Sequence, residues 1–150
     1  MESTDIDLLN KQFAAPGRAT FRTGPGGFPI LTLANAHGTL EITPYGGHVL
    51  SYRPAGQKPA LFISRESTYI PGKPIRGGIP VCWPWFGPSA DDPALPMHGF
   101  ARLMFWSVDA VAAGADQSEV RLGLRDDERT RKFWPHAFEL ALHVVLGKNL

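Results

Sequence analysis

Apolar and polar residues alternate with a period of two along much of this chain, and this pattern constrains its fold more than any other feature. Leu40 and Ile42, for example, alternate with Thr39, Glu41 and Thr43. Successive side chains of an extended strand point to opposite faces, so this alternation is typical of a strand with one buried face. The same pattern occurs at 31–34, 119–125 and 138–146. The sequence therefore predicts an all-β protein built of short strands.

Glycine and proline punctuate these strands. The 150 residues include 16 glycines and 14 prolines, whereas average usage gives about 12% for the two together. They cluster at 24–27, 35–38, 44–47 and 54–56, where they signal turns. Many short strands with frequent turns predict an antiparallel β-sandwich or barrel. The exception is 5–14, whose apolar spacing predicts a short amphipathic helix that Pro16 and Gly17 end.

Charge and composition exclude several classes of protein. A formal net charge of +1 provides no strong field for a nucleic acid or an anionic membrane. No apolar run approaches the roughly 20 residues that span a bilayer, and the first residues carry acid where a signal peptide carries base. Cys82 is the only cysteine, so an intrachain disulfide or a thiolate metal cluster is excluded. A soluble, cytoplasmic protein is expected.

The segment 70–102 departs from the strand pattern. It is rich in proline and glycine, and a long irregular segment inside a compact β domain is more often functional than idle. It contains guanidinium groups, an imidazole and several aromatic rings: Arg76, Arg102, His98, Trp83, Trp85, Phe86 and Phe100. Arginine binds phosphate or hydroxyl groups through a planar fork, and aromatic faces pack against apolar surfaces of a ligand. The set suits a small polar ligand and accommodates an anionic one.

These residue types also have a structural interpretation. Trp83, Trp85 and Phe86 belong to types that pack cores and loops more often than they bind sugars. A loop arginine is usually solvated or pairs with a carboxylate such as Asp91 or Asp92. The remaining histidines are interpreted as structural: His37, His48, His136 and His143. Residue types alone therefore predict a β protein with a loop that either packs or binds.

Two motifs within this segment carry a resemblance to a known family. The first reads GKPIRGGIP at 72–80 and continues as WPWFGP at 83–88, and the second reads HGFAR at 98–102. Supporting matches lie at 45–54, 61–64, 130–131 and 134–138. In this order and spacing, the chain resembles the hexose-phosphate mutarotases (glucose-6-phosphate 1-epimerase type) of the aldose 1-epimerase superfamily. The resemblance extends over nearly its whole length.

The resemblance implies a fold and an activity. The fold is the antiparallel β-sandwich of galactose mutarotase-like proteins, with residues 1–150 as the N-terminal part of a single domain. The activity is the interconversion of the α and β anomers of a hexose 6-phosphate, in which a base deprotonates the anomeric hydroxyl and an acid protonates the ring oxygen. It requires no metal or organic cofactor. The implied partner is a small sugar phosphate, with no nucleic acid and no membrane.

The resemblance also implies roles for particular residues. Arg76, in the first motif, and Arg102, which ends the second, are the expected substrate ligands, and His98 is expected to line the pocket. Met97 occupies a position where some relatives carry a substrate-binding glutamine, and its thioether cannot donate to a hydroxyl. No catalytic residue is expected within this chain, because the family's histidine and glutamate fall beyond Leu150.

Three interpretations of the chain follow. Its apolar alternation continues to the last residues, which suggests that the natural domain continues, so the chain is first interpreted as part of an epimerase. The second is a non-catalytic carbohydrate-binding module that retains the ligand loop. The third is a chain without a stable fold, because half a sandwich exposes inner faces that should be buried. Oligomeric state and the preferred hexose stay open.

Overall fold

The computed structural model describes residues 5–150, so residues 1–4 of the predicted domain lie outside the described part. Helix α1 spans Ile6–Phe13. The Asp5 carboxylate caps it by accepting hydrogen bonds from the backbone N–H groups of Asp7 and Leu8, at 3.0 and 3.2 Å. Such a cap satisfies donors that the first turn of a helix leaves free. The predicted N-terminal helix is confirmed.

The strands form two antiparallel sheets, as the sequence predicted. Their bounds are β1 Ala19–Thr23, β2 Pro29–Asn35, β3 Gly38–Thr43, β4 His48–Pro54, β5 Ser107–Ala113, β6 Ser118–Arg125 and β7 Glu139–Leu146. Strands β1 to β4 form the first sheet and β5 to β7 the second, each in chain order. A second short helix, α2 at Glu128–Phe133, connects β6 and β7. Within each sheet every strand therefore pairs with its neighbour along the chain, and β4 and β5, which belong to different sheets, are joined by a long connection.

The inner faces of the two sheets pack against each other and form the main core. Leu33 of β2 lies opposite Leu40 of β3, and Val120 of β6 lies opposite Val144 of β7. All four are buried, and burying an aliphatic side chain of this size stabilises a fold by about 1.5–3 kcal/mol. The Asn35 amide also donates a hydrogen bond of 2.8 Å to the carbonyl of Leu146. The sandwich is thus held by apolar burial and tied at one edge.

A second core covers the opposite face of the first sheet. It contains Phe28, Ile30, Tyr45, Leu50 and Ile75, all buried. Ile75 belongs to the irregular segment 55–106, which separates β4 from β5 and contains no strand. Backbone bridges join this segment to β4 and to itself, at Val49–Ile79 and Ile63–Gly77. The predicted irregular segment is confirmed, and it is longer than the 70–102 that the sequence indicated.

The second sheet, in contrast, leaves its outer face exposed. Along β6, buried and less buried residues alternate strictly, and along β7 the exposed side chains are those of Glu139, Ala141, His143 and Val145. In the described part of the chain β7 pairs only with β6, so its other edge carries free backbone groups. No helix among residues 5–150 has the length and apolar character needed to cross a membrane.

Candidate functional site

Arg102 is held in a half-buried position by the turn that contains it. This short 3₁₀ turn, Ala101–Leu103, is anchored by Trp106, whose indole N–H donates to the Ala101 carbonyl at 2.9 Å. The Arg102 Nη2 group donates to the carbonyl of Met97 at 2.7 Å. Its Nε atom is buried and has no hydrogen-bond partner among residues 5–150. A buried donor without a partner is costly, so a ligand oxygen that reached Nε would be favoured.

Arg76 lies on the same side of the molecule as Arg102. Burial lowers the pKa of the Arg102 guanidinium below its ordinary value, and the nearby charge of Arg76 lowers this pKa further, while Cys82 and Tyr45 raise it. Backbone contacts agree with this placement. The carbonyl of Arg102 lies against Gly46, where a Cβ would come within 2.6 Å of it. The carbonyl of Gly77, next to Arg76, lies 2.7 Å from the Nε2 of His48. Like charges repel, so two cations held near the start of the same strand favour an anion beside them.

Neither arginine has a carboxylate partner. The ion pairs formed within residues 5–150 include neither Arg76 nor Arg102. Arg76 is fixed instead through its backbone: its N–H donates to the Ser67 hydroxyl at 2.9 Å, and its carbonyl accepts from the Ser64 N–H at 2.9 Å. The pairing with Asp91 or Asp92 that the structural interpretation considered is therefore absent from the described residues, and both charges remain available.

The buried side chain of His48 holds the backbone next to Arg76. It is 1% exposed, and its Nε2 lies 2.7 Å from the carbonyl of Gly77; because a carbonyl only accepts, Nε2 carries the proton. Burial lowers the pKa of His48, the bond to Gly77 raises it and the charge of Arg102 lowers it. The segment also approaches β4 so closely at Gly78 that glycine is required there. Its φ is +61°, and a Cβ would come within 2.2 Å of the Val49 carbonyl oxygen. The interpretation of His48 as structural is confirmed.

Tyr45 holds the start of the first motif. Its ring is buried, and its hydroxyl donates to the carbonyl of Lys73 at 2.8 Å. Burial raises the pKa of Tyr45, and its hydrogen bonds and the charge of Arg102 lower it. The sequence did not indicate that Tyr45 and His48 hold this loop. The motif match at 45–54 contains both residues, and their hydrogen bonds hold the segment that carries Arg76.

Two hydrogen bonds fix His98 to Gly87, which follows Phe86 at the end of the first motif. It adopts a positive φ of 65°, its N–H donates to the Gly87 carbonyl at 2.7 Å, and its Nδ1 accepts from the Gly87 N–H at 2.8 Å. Because Nδ1 accepts, the neutral ring carries its proton on Nε2. Nε2 is thereby kept as a hydrogen-bond donor. The carbonyl of Met97, just before His98, accepts a hydrogen bond of 2.7 Å from Arg102.

The tryptophans of the loop are structural, as one interpretation held. Trp83 forms edge-on contacts with Trp134 and Phe138, at ring centroid distances of 5.1 and 4.6 Å. The indole N–H of Trp85 donates to the carbonyl of Pro96 at 2.9 Å. Phe86, between them and His98, is 80% exposed. The sequence did not predict that the residues after α2 pack against this loop.

The site offers no cluster suited to a metal ion. Among residues 5–150, no group of three or more histidine, cysteine, aspartate or glutamate side chains lies close enough to coordinate one. The chemistry of this region consists of two guanidinium groups that pair with no carboxylate among residues 5–150, the Nε2–H donor of His98 and the exposed ring of Phe86.

A sequence model described as aldose 1-epimerase matches residues 29–150. The chain belongs to this family. A "putative glucose-6-phosphate 1-epimerase" of Escherichia coli (strain K12) is 46% identical over 104 residues, which are 69% of this chain and 35% of that protein. A protein of the same description from Cenchrus ciliaris is 40% identical over 131 residues, which are 83% of this chain and 39% of that protein.

Solved structures of the family have the same fold. A structure from Salmonella typhimurium, described as a "putative mutarotase", superposes with a TM-score of 0.83 at 30% identity and covers 93% of this chain and 49% of that one. The chain thus spans between a third and a half of the length of these relatives. The resemblance seen in the sequence motifs is confirmed at the level of family and fold.

Proposed function

We propose that this aldose 1-epimerase chain supplies the substrate-binding part of an enzyme that interconverts the anomers of a hexose 6-phosphate. In this proposal residues 1–150 are the N-terminal part of one sandwich domain, since the relatives are longer. The observation that carries the proposal is that Arg102 lies against Gly46 while Gly77, next to Arg76, is bonded to His48, so the two arginines lie beside the start of the same strand. Neither guanidinium group pairs with a carboxylate among residues 5–150.

The proposed substrate contacts follow from the chemistry of each group. Arg76 and Arg102 bind the phosphate or sugar hydroxyl oxygens, because a guanidinium presents several N–H donors in one plane. His98 donates from Nε2 to a sugar oxygen, since Gly87 already occupies its Nδ1. These contacts orient the sugar and leave proton transfer to other groups.

The choice of a hexose 6-phosphate rests on two supports. The relatives from Escherichia coli and Cenchrus ciliaris carry the description glucose-6-phosphate 1-epimerase. A phosphate ester also matches two adjacent cations better than a neutral sugar does. Anomer exchange needs a base at the anomeric hydroxyl and an acid at the ring oxygen. We propose that this pair lies outside residues 1–150, as the resemblance of the motifs implies.

Binding of glucose 6-phosphate to the chain tests the site. We expect Arg76→Ala and Arg102→Ala each to weaken binding by about 1.5–3 kcal/mol, the strength of a charge-assisted hydrogen bond, as measured by isothermal titration calorimetry. Arg125→Ala is the matched control, because Arg125 lies on the second sheet and pairs with Glu139 at 2.8 Å. Affinity that both site variants leave unchanged would remove the arginines from the pocket.

Anomer exchange distinguishes an enzyme from a binding module. Magnetisation-exchange NMR on glucose 6-phosphate measures whether the chain accelerates the conversion of one anomer into the other. Binding without acceleration is the result expected for residues 1–150, and it favours the module interpretation for this chain alone. Acceleration would contradict the placement of the acid and base outside these residues.

A further inference from the structure

We infer that Phe86 provides the aromatic surface against which the carbon face of the bound sugar packs. This inference rests on the proposed function, and it assigns to one residue a part of sugar recognition that the arginines cannot supply. Guanidinium groups bind oxygen atoms. A pyranose also has patches of C–H groups, and the flat face of an aromatic ring packs well against such a surface.

Phe86 is the loop aromatic that remains available. Its side chain is 80% exposed, although an aromatic ring normally gains stability from burial. Trp83 is partly buried and packs edge-on against other rings, at centroid distances of 5.8 Å from Phe100 and 5.1 Å from Trp134. Trp85 is fixed through its indole N–H to Pro96. From the sequence, the three aromatic residues of WPWFGP had the same interpretation. In the fold, Trp83 and Trp85 contact other residues of the protein, whereas Phe86 is exposed.

The backbone next to Phe86 is held rigidly. Gly87, at a φ of +77°, both donates to the Nδ1 of His98 and accepts from its N–H, at 2.8 and 2.7 Å. The Phe86 ring also contacts the His98 imidazole, with centroids 4.6 Å apart and planes inclined by 53°. An exposed ring that is already fixed loses little conformational freedom on binding, which favours a ligand platform.

The contacts connect Phe86 to the arginine pair. Phe86 touches His98, Met97 precedes His98, and the Met97 carbonyl accepts from Arg102 at 2.7 Å. The charge of Arg76 in turn lowers the pKa of Arg102. The exposed ring, the His98 imidazole and the Arg102 guanidinium are thus linked by successive contacts along this segment. An anionic group on the arginines would place the carbon skeleton of the same molecule toward the ring.

Two probes separate the aromatic contact from the anion contact. Binding of glucose 6-phosphate and of inorganic phosphate is measured by titration calorimetry on the chain and on Phe86→Ala. We expect Phe86→Ala to weaken glucose 6-phosphate binding about tenfold, the loss typical of an aromatic contact, and to leave phosphate binding unchanged. Phe86→Tyr keeps the flat ring and should retain most of the affinity for the sugar phosphate.

Phe62→Ala is the matched control. Phe62 is the same residue type and is 72% exposed, but its ring makes no aromatic contact with another described residue. We expect it to bind both probes as the unmodified chain does. If Phe86→Ala misfolds, as circular dichroism would reveal, Phe86→Leu replaces it, because leucine keeps the apolar bulk and removes the flat face.

Three results would overturn the inference. Equal binding of glucose 6-phosphate by the chain and the Phe86 variants would remove the ring from recognition. Equal weakening of both probes would show that Phe86 only supports the anion site. Failure of the unmodified chain to bind glucose 6-phosphate would overturn the proposed function and this inference together, and it differs from the first two because it appears without any substitution.

Discussion

The two sheets of this sandwich differ in what covers their second face. The first sheet lies between the second sheet and the irregular segment 55–106, so Ile30 and Leu50 are buried on the side away from the main core. The second sheet has solvent on its outer face, where Arg121 and His143 are exposed. All proposed ligand residues belong to the segment that covers the first sheet. Because both faces of the first sheet are covered, this sheet forms a rigid base for the site.

The difference explains how a long irregular segment can present a defined surface. Loops are usually mobile because few contacts hold them. This one is fixed by the Tyr45 hydroxyl on Lys73, by His48 on Gly77 and by the burial of Ile75. The outer face of the second sheet has only exposed ion pairs such as Arg125 with Glu139, which contribute little to stability. Three predictions test the contrast.

The largest expected effect concerns apolar burial on the two outer faces. Ile30→Ala should lower the free energy of unfolding by about 2–5 kcal/mol, because it leaves a cavity beneath the covering segment. Val145→Ala, at a residue that is 37% exposed on the uncovered face, should change it by less than about 0.5 kcal/mol. Urea unfolding of the chain measures both values. Similar losses for the two variants would contradict the contrast between the sheets.

The same unfolding curves address whether the chain folds stably at all. A single steep transition is expected, because the inner faces of both sheets and the second core are buried. A broad, non-cooperative transition would support the interpretation of the chain as a sandwich part without a stable fold.

A smaller effect is expected from the hydroxyl that ties the covering segment to the first sheet. Tyr45→Phe removes the hydrogen bond to Lys73 and should cost about 0.5–1.5 kcal/mol. Amide hydrogen exchange should also become faster in 70–80, because the segment opens more easily. Tyr52→Phe is the matched control, since the Tyr52 hydroxyl makes no hydrogen bond within residues 5–150. Unchanged exchange in Tyr45→Phe would show that burial alone holds the segment.

The smallest effect is a pH dependence that originates at His48. Its pKa is lowered in the folded chain, chiefly by burial. Below the ordinary histidine value of 6.5, the unfolded chain therefore binds a proton that the folded chain does not. Unfolding becomes easier as pH falls through this range, and the stability is fully present above it. His48→Gln should give a shallower decrease between pH 7.5 and about 5.5, and an equally steep one would assign the dependence to other groups.

The burial pattern of each strand explains which strands the sequence could predict. Buried and less buried residues alternate in β6, in β7 and in the stretches 31–34 and 39–42 of the first sheet, so a period of two was visible there. In β4, at His48–Pro54, the first three residues are all buried, and burial on both faces erases the alternation. In β5, a register shift between Val108 and Ala110 breaks the phase of the pattern. Strand β1 has only five residues, too few to establish a period.

The candidate site was predictable in part. The motifs identified Arg76, His98 and Arg102 and placed them in an irregular segment of an all-β protein, which is how the fold presents them. Their roles as ligands stay predictions. The functions of Tyr45 and His48 in holding this segment were missed, because each acts through a backbone carbonyl far along the chain, at Lys73 and Gly77. Such a bond leaves no local pattern in the sequence.

The sequence by itself determined the fold class, the turns and the family, because alternation, turn residues and motif spacing are local properties of a chain. Only the tertiary structure decided which loop residues are free to meet a ligand. It left Phe86 exposed while enclosing Trp83, and it brought Arg102 beside Arg76 with its Nε unpaired among the described residues. The physical reason is that exposure and charge proximity depend on which distant segments cover a residue, and neighbours in sequence do not encode that coverage.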